Sequence, residues 1–213
     1  MGIAHVRTRI KICGITRTQD ARTAAEAGAD AIGLVFYPPS PRYLSTERAA
    51  EIRDALPPFV QTVALFVNAD AAQVAQVLGR VRPALLQFHG EETPEFCAQF
   101  GMPFVKACRV KPGVDALEYL RPYSRAAAWL FDSHVPEYGG IGESFDWSLL
   151  PAAGRIERSV ILSGGLSREN VAEAIRRVRP WGVDVSSGVE SAKGVKDGAK
   201  IAAFIAEVRN ADV

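Results

Sequence analysis

The sequence predicts an α/β protein of the (β/α)8 (TIM) barrel class, built as a single domain over residues 1–213. Three observations carry that expectation. Apolar, β-branched runs alternate with Ala-rich amphipathic stretches along the whole chain. The strand-like runs are too continuously hydrophobic to keep one face in water, which points to a parallel sheet covered by helices. Eight such runs share the 213 residues, about 27 per unit, against roughly 31 in a typical ~250-residue barrel. An open doubly wound sheet alternates in the same way, and the unit count favours the barrel over it.

The elements follow in order. RIKIC (9–13) alternates Ile10 and Ile12 with Lys11 and Cys13 and opens the series; an Ala-rich helix over 18–27 follows it. AIGLVF (31–36) precedes a helix over 46–55, whose start is marked by Ser45 or Thr46 ahead of Glu47. QTVALFV (61–67) leads to a helix over 70–79 capped by Asp70, and ALLQF (84–88) to one over 93–100 with Thr93 before Pro94. FVKAC (104–108) and AAWLFD (127–132) are followed by helices near 114–121 and 147–153. SVILS (159–163) precedes a helix over 168–177 opened by Ser167, and GVDVS (182–186) a last one over 197–208. Arg80-Val-Arg-Pro83 and Arg177-Val-Arg-Pro180 repeat one pattern before the fourth and eighth strands. This reads either as a trace of half-barrel duplication or as recurring helix-to-strand chemistry, in which Pro stops the helix and a basic last turn suits its dipole.

Composition excludes several classes. Lys plus Arg is 25 and Asp plus Glu is 24, a net charge of +1, which argues against a nucleic-acid binder with its basic stripe. Net charge says nothing of placement, so cations focused in one cleft stay open. No apolar run approaches the ~18 residues of a membrane span, and no signal-peptide core precedes the first strand. Cys13, Cys97 and Cys108 show neither a disulfide framework nor zinc spacing, and His5, His89 and His134 are scattered. The expectation is a cytoplasmic protein that needs no metal and binds neither membrane nor nucleic acid.

In such barrels the reactive groups stand where strands end. Strand alternation puts Lys11 and Cys13 on one face. If the Ile face meets the helices, Cys13 opens into the barrel mouth above Lys11, whose charge would lower the thiol pKa; a buried structural cysteine is the other reading. Cys97 and Cys108 read as structural. Asp132 closes the sixth strand as a cap or as a catalytic acid. Ser163-Gly164-Gly165 and Ser186-Ser187-Gly188 follow strands seven and eight, where backbone N–H groups can cradle phosphate. Pro39-Ser-Pro41-Arg42 is a stiff loop presenting one guanidinium. His89 stands at the end of the fourth strand without a second ligand to make a metal site. Lys106 reads as an inward lysine, either a Schiff-base amine or the partner of a carboxylate.

KICGIT (11–16), LVFYPPSPRYLS (34–45), LFVN (65–68), QFHGEE (87–92), PEYGG (136–140), FDWSLL (145–150), SGGL (163–166) and DVSSGVE (184–190) resemble the phosphoribosylanthranilate isomerase family of tryptophan biosynthesis, from Arg9 to the last helix. The resemblance implies a (β/α)8 barrel without cofactor that acts on a small phosphoribosyl substrate by an Amadori rearrangement. It implies Cys13 as general base, Asp132 as general acid and Arg42 on the substrate carboxylate. Gly164, Gly165, Ser187 and Gly188 would bind the phosphate, with His89 and Asp184 close to the substrate. The sequence departs from the family in the loop after PEYGG, where Ile141 and Glu143 replace a small hydroxyl residue and Lys or Gln. The resemblance leaves open a monomer or a homodimer.

The related histidine-pathway isomerase uses Asp in place of the first-strand Cys and a second phosphate site, neither of which is written here. An aldolase on Lys106 and a non-catalytic phosphosugar-binding barrel are the remaining alternatives.

Overall fold

A computed structural model describes residues 7–111, 113–133, 146–150, 156 and 158–212. His5, His134, Gly140, Ile141, Gly142 and Glu143 lie outside the described residues, as do 151–153 of the helix expected over 147–153. Where that helix was expected, Trp147–Leu149 form a 3-10 turn.

Eight parallel strands close into a barrel in chain order: β1 (Arg9–Cys13), β2 (Ala31–Val35), β3 (Gln61–Phe66), β4 (Leu85–Phe88), β5 (Phe104–Val110), β6 (Ala128–Ser133), β7 (Ser159–Leu162) and β8 (Gly182–Val185). The circle is completed by β8 on β1, with Lys11 in register with Asp184. Helices α1 (Thr18–Ala27), α2 (Thr46–Asp54), α3 (Ala71–Val81), α4 (Pro94–Ala98), α5 (Ala116–Leu120), α6 (Val171–Val178) and α7 (Gly198–Ala211) cover it. Ser45, Asp70, Thr93 and Asp197 cap their helices, each accepting a backbone N–H of the first turn. A short hairpin, β9 (Glu190–Ala192) and β10 (Val195–Lys196), is inserted between β8 and α7.

Strand alternation divides the core into two. Ile10, Ile12, Ile32, Phe66, Phe88 and Phe131 face the helices in one large cluster, where Phe66 and Phe88 stack with centroids 6.0 Å apart. Inside the bore, Val105, Ala107, Ala128 and Leu130 form one apolar group, and Cys13, Val35, Leu65 and Val67 form another nearer the mouth. Cys13 therefore faces inward while its neighbouring isoleucines face the helices, as alternation along β1 requires.

Both copies of the Arg-Val-Arg-Pro pattern build the same joint. Arg82 and Arg179 end α3 and α6 in left-handed backbone, at φ 52 and 49. A non-glycine residue pays about 1–2 kcal/mol there, so proline, not a favourable cap residue, ends the helix in each case.

Two expectations change. β5 runs to Val110, two residues beyond the expected end, which turns Arg109 into the mouth. Lys106 faces the helix layer and not the bore, since Val105 and Ala107 take the inward positions. Its side chain is fully buried, donates to the carbonyl of Gly90, and lies 3.1 Å from Glu92 Oε2. Glu92 also accepts from the backbone N–H groups of Asn68 and Gly90, so the pair anchors the loop after β4. Lys106→Met would strand that carboxylate. A loss of about 3–5 kcal/mol in urea unfolding is expected, and a loss below about 1 kcal/mol would show that the pair does not support the loop.

Candidate active site

The strands' carboxyl ends open on a cleft containing about 860 Å³ of unfilled space, counted out to open solvent. Its walls include Cys13, Arg42, Gln87, His89, Arg109, Asp132, Gly164, Gly165, Asp184 and Ser187. Of the residues expected from the sequence, only Gly188 is not in the wall. A Cβ there would lie 2.1 Å from the Leu166 carbonyl oxygen, so Gly188 lets the turns after β7 and β8 touch.

At the base of the cleft Lys11 Nζ donates to Asp184 Oδ2 at 2.7 Å, and both side chains are buried. Asp184 Oδ1 is buried with no hydrogen-bond partner among the described residues. Burial pushes the Asp184 carboxyl above its ordinary range, although Lys11 pulls it back. Burial works against the Lys11 charge, and Asp184 with Cys13 outweighs it, so the amine stays well above its usual value.

Cys13 stands above this pair. Gly33, its register partner in β2, leaves room for it: a Cβ on Gly33 would lie 2.6 Å from the thiol sulfur. The sequence led to the expectation of a thiol acidified by Lys11. The result is the reverse. Burial raises the Cys13 pKa most, Lys11 lowers it, and Asp184 raises it again, leaving the thiol above its ordinary value. Cys97 and Cys108, pushed by burial to about 12 and about 11, are packed in the helix-side cluster away from the cleft.

Across the mouth, Asp132 ends the inward row of β6. Its Oδ1 accepts the Ser133 N–H at 2.7 Å, and its Oδ2 lies 3.0 Å from His89 Nε2. The other ring nitrogen of His89, Nδ1, lies 3.0 Å from Gln87 Nε2. With the amide N–H donating to Nδ1, the ring proton sits on Nε2 and points at Asp132. Gly164 makes room for this carboxylate; its φ is 83, and a Cβ would lie 2.3 Å from Ser133 N and 2.8 Å from Asp132 Oδ1.

Arg42 is not the solvent-presented guanidinium of the sequence reading. It is 6% exposed, and Glu190 accepts from both its Nε and its Nη2 at 2.8 Å. Sequence reasoning passed over Gln87, Arg109 and Glu190. Gln87 could have been found two residues before His89 on the same strand face. Arg109 was hidden by an expected strand end placed too early.

A thiol, an imidazole and two carboxylates at separate strand ends of one cleft, beside two serine–glycine turns, define a barrel enzyme suited to proton transfer on a small molecule. Comparison with known proteins narrows the class. A family model described as N-(5'-phosphoribosyl)anthranilate (PRA) isomerase matches residues 10–207. The N-(5'-phosphoribosyl)anthranilate isomerase of Dechloromonas aromatica is 52% identical over 208 residues, covering 97% of this chain and 99% of the relative. The crystal structure of phosphoribosyl anthranilate isomerase from Thermotoga maritima superposes with a TM-score of 0.88 at 46% identity, covering 95% of this chain and 99% of that one; that protein is described as dimeric. A structure of the enzyme in complex with reduced 1-(o-carboxyphenylamino)-1-deoxyribulose 5-phosphate gives 0.85 at 43% identity, covering 95% and 99%. The chain belongs to the N-(5'-phosphoribosyl)anthranilate isomerase family of tryptophan biosynthesis, and it is an isomerase.

The close approach at Gly164 gives a direct test of this geometry. Gly164→Ala is expected to displace Asp132 and to lower kcat by about 10²-fold, the usual effect of a misplacement near 1 Å, in a protein that circular dichroism shows to be folded. An unchanged kcat would show that the position of Asp132 is not critical.

Proposed function

We propose that this enzyme converts N-(5-phosphoribosyl)anthranilate into 1-(2-carboxyphenylamino)-1-deoxyribulose 5-phosphate, with Asp132 as general acid and Cys13 as general base. The observation that carries the reading is that the two groups enter one cleft from separate strands, each held by its own partners. An acid and a base so arranged can act on opposite ends of one substrate.

Asp132 delivers a proton to the ribose ring oxygen as the bond from that oxygen to C1 breaks, leaving a protonated Schiff base between C1 and the anthranilate nitrogen. Cys13, as thiolate, takes the proton from C2; the C–H electrons form the C1–C2 double bond and neutralise the nitrogen. The resulting enolamine tautomerises to the ketone. His89 holds Asp132 in place through its Nε2–H. Arg42 takes the anthranilate carboxylate, and the unpartnered Oδ1 of Asp184 suits a ribose hydroxyl. The turns at Gly164–Gly165 and Ser187 hold the phosphate through backbone N–H groups, and Gly188 lets the two turns meet. The chemistry needs no metal or organic cofactor, and Lys106, buried on the helix side, has no part in it.

The whole chain, 1–213, is taken as one catalytic domain working in the cytoplasm. No described helix is long and apolar enough to cross a membrane. A homodimer is proposed for its assembly, supported by the dimeric relative and by Phe59. That ring is fully exposed in left-handed backbone at φ 72, in the loop entering β3 at the end of the barrel away from the cleft. Sedimentation should return twice the chain mass, and a monomer at micromolar concentration would overturn this.

Activity is read from the loss of phosphoribosylanthranilate fluorescence, with the substrate made in situ from anthranilate and phosphoribosyl pyrophosphate. Cys13→Ala and Asp132→Asn should each lose about 10²–10⁴-fold in kcat while still binding the reduced product analogue. Near-normal turnover by either variant removes that residue from the mechanism. A base with a raised pKa is active only in its deprotonated fraction, so the residual kcat/KM of Asp132→Asn, in which the acid no longer titrates, should climb as pH rises above about 7. A residual profile that is flat or falling there contradicts Cys13 as the base.

A further inference from the structure

The β9–β10 hairpin is not needed to close the barrel, yet it carries two buried charges to the rim of the cleft. Glu190 and Lys196 are register partners on its two strands. Glu190 Oε1 accepts from Lys196 Nζ at 2.9 Å and from Arg42 Nε at 2.8 Å, while Oε2 accepts from Arg42 Nη2 at 2.8 Å. Lys196 also donates to the Ser186 carbonyl at 3.0 Å, in the turn that lines the cleft. The Arg42 loop is packed against this group from two sides. A Cβ on Gly14 would lie 2.3 Å from Arg42 Cδ, and one on Gly194, at the hairpin tip, 3.0 Å from the Pro41 carbonyl oxygen.

Three charges buried together contribute little stability over an apolar replacement, so the value of this cluster lies in geometry. A guanidinium is a rigid plane. Glu190 grips its Nε–Nη2 edge, which fixes the direction of the Nη1–Nη2 edge, the second parallel pair of donors able to receive a carboxylate. Burial drives the Glu190 carboxyl up, and Arg42 and Lys196 together overcome it, so Glu190 remains an anion that can hold this grip.

We infer that Glu190, braced by Lys196, is a positioning residue: it holds Arg42 so that the enzyme selects a substrate bearing a carboxylate on its aromatic ring. The inference rests on the proposed contact of Arg42 with the anthranilate carboxylate. It makes the hairpin a specificity element, although the hairpin itself does not line the cleft.

The test measures binding of two ligands by calorimetry: reduced 1-(o-carboxyphenylamino)-1-deoxyribulose 5-phosphate and its counterpart lacking the ring carboxyl. The native enzyme should prefer the carboxylated ligand by about tenfold or more, as a charge-assisted pair warrants. Glu190→Asp keeps the buried charge balance, and so the fold, but withdraws the fork acceptor by one methylene. It should cut the preference to within about threefold while leaving the affinity for the other ligand unchanged. Arg42→Lys should do the same, and the double variant should lose no more than either single one, because both act through one guanidinium. If Arg42→Lys loses the preference and Glu190→Asp retains it, or weakens both ligands equally, the positioning role is wrong and the carboxylate contact stands. If Arg42→Lys retains the preference, the contact itself is wrong and the inference falls with it.

Discussion

The buried ion pair of Lys11 and Asp184 sets the terms for the rest of the site. Taking two charges from water costs several kcal/mol for each, and their attraction offsets this only when the geometry is good. Register supplies the geometry, since the two residues face each other across the seam where β8 closes on β1. Cys13 is next on the same face, above a cation already engaged by a carboxylate, and its thiol is held up by burial. Asp184 is left with one oxygen in the cleft wall that has no partner among the described residues. One interaction thus bridges the seam of the barrel, shapes the environment of the thiol and supplies an acceptor.

The same device recurs away from the bore. Lys106 and Glu92 pair on the helix side and pin the loop after β4 from beneath, the loop that follows His89. Arg42, Glu190 and Lys196 tie the loop after β2 to the hairpin after β8. Cys13, Arg42 and the loop after His89 therefore each stand on a buried charged support drawn from a different strand or loop. Such supports limit how far a reactive group strays from its working position. Small residues complete the arrangement where groups crowd: Gly33 beside the thiol and Gly164 beside Asp132.

The barrel was legible because its signals are local. Continuous apolar runs, capping residues and turn glycines mark β1 and α1 at the bounds observed, and most other elements within two or three residues. Alternation put Cys13 and Lys11 on one face, inward provided that Ile10 and Ile12 met the helices, and strand ends marked His89 and Asp132. What escaped depends on distances between segments far apart in the chain. The sequence holds Arg42 and Glu190 in separate motifs and cannot show that one grips the other 148 residues away. It also cannot weigh burial against a neighbouring charge, so the direction of the Cys13 shift was misjudged. Arg109 was missed for a simpler reason: Arg109-Val110 carries one charge and one apolar residue, too little pattern to extend a strand.

The proposed division of labour puts ring opening with Asp132 before proton removal by Cys13. It is tested most directly by single-turnover rates with substrate deuterated at ribose C2, in the Cys13→Ser and Asp132→Asn variants. With a poorer base, proton removal limits the rate, so deuterium should slow Cys13→Ser. With no acid, ring opening limits, so deuterium should leave Asp132→Asn unchanged. Equal slowing of both variants, or a Cys13→Ser rate indifferent to deuterium, would contradict the assignment of base and acid to these two strands.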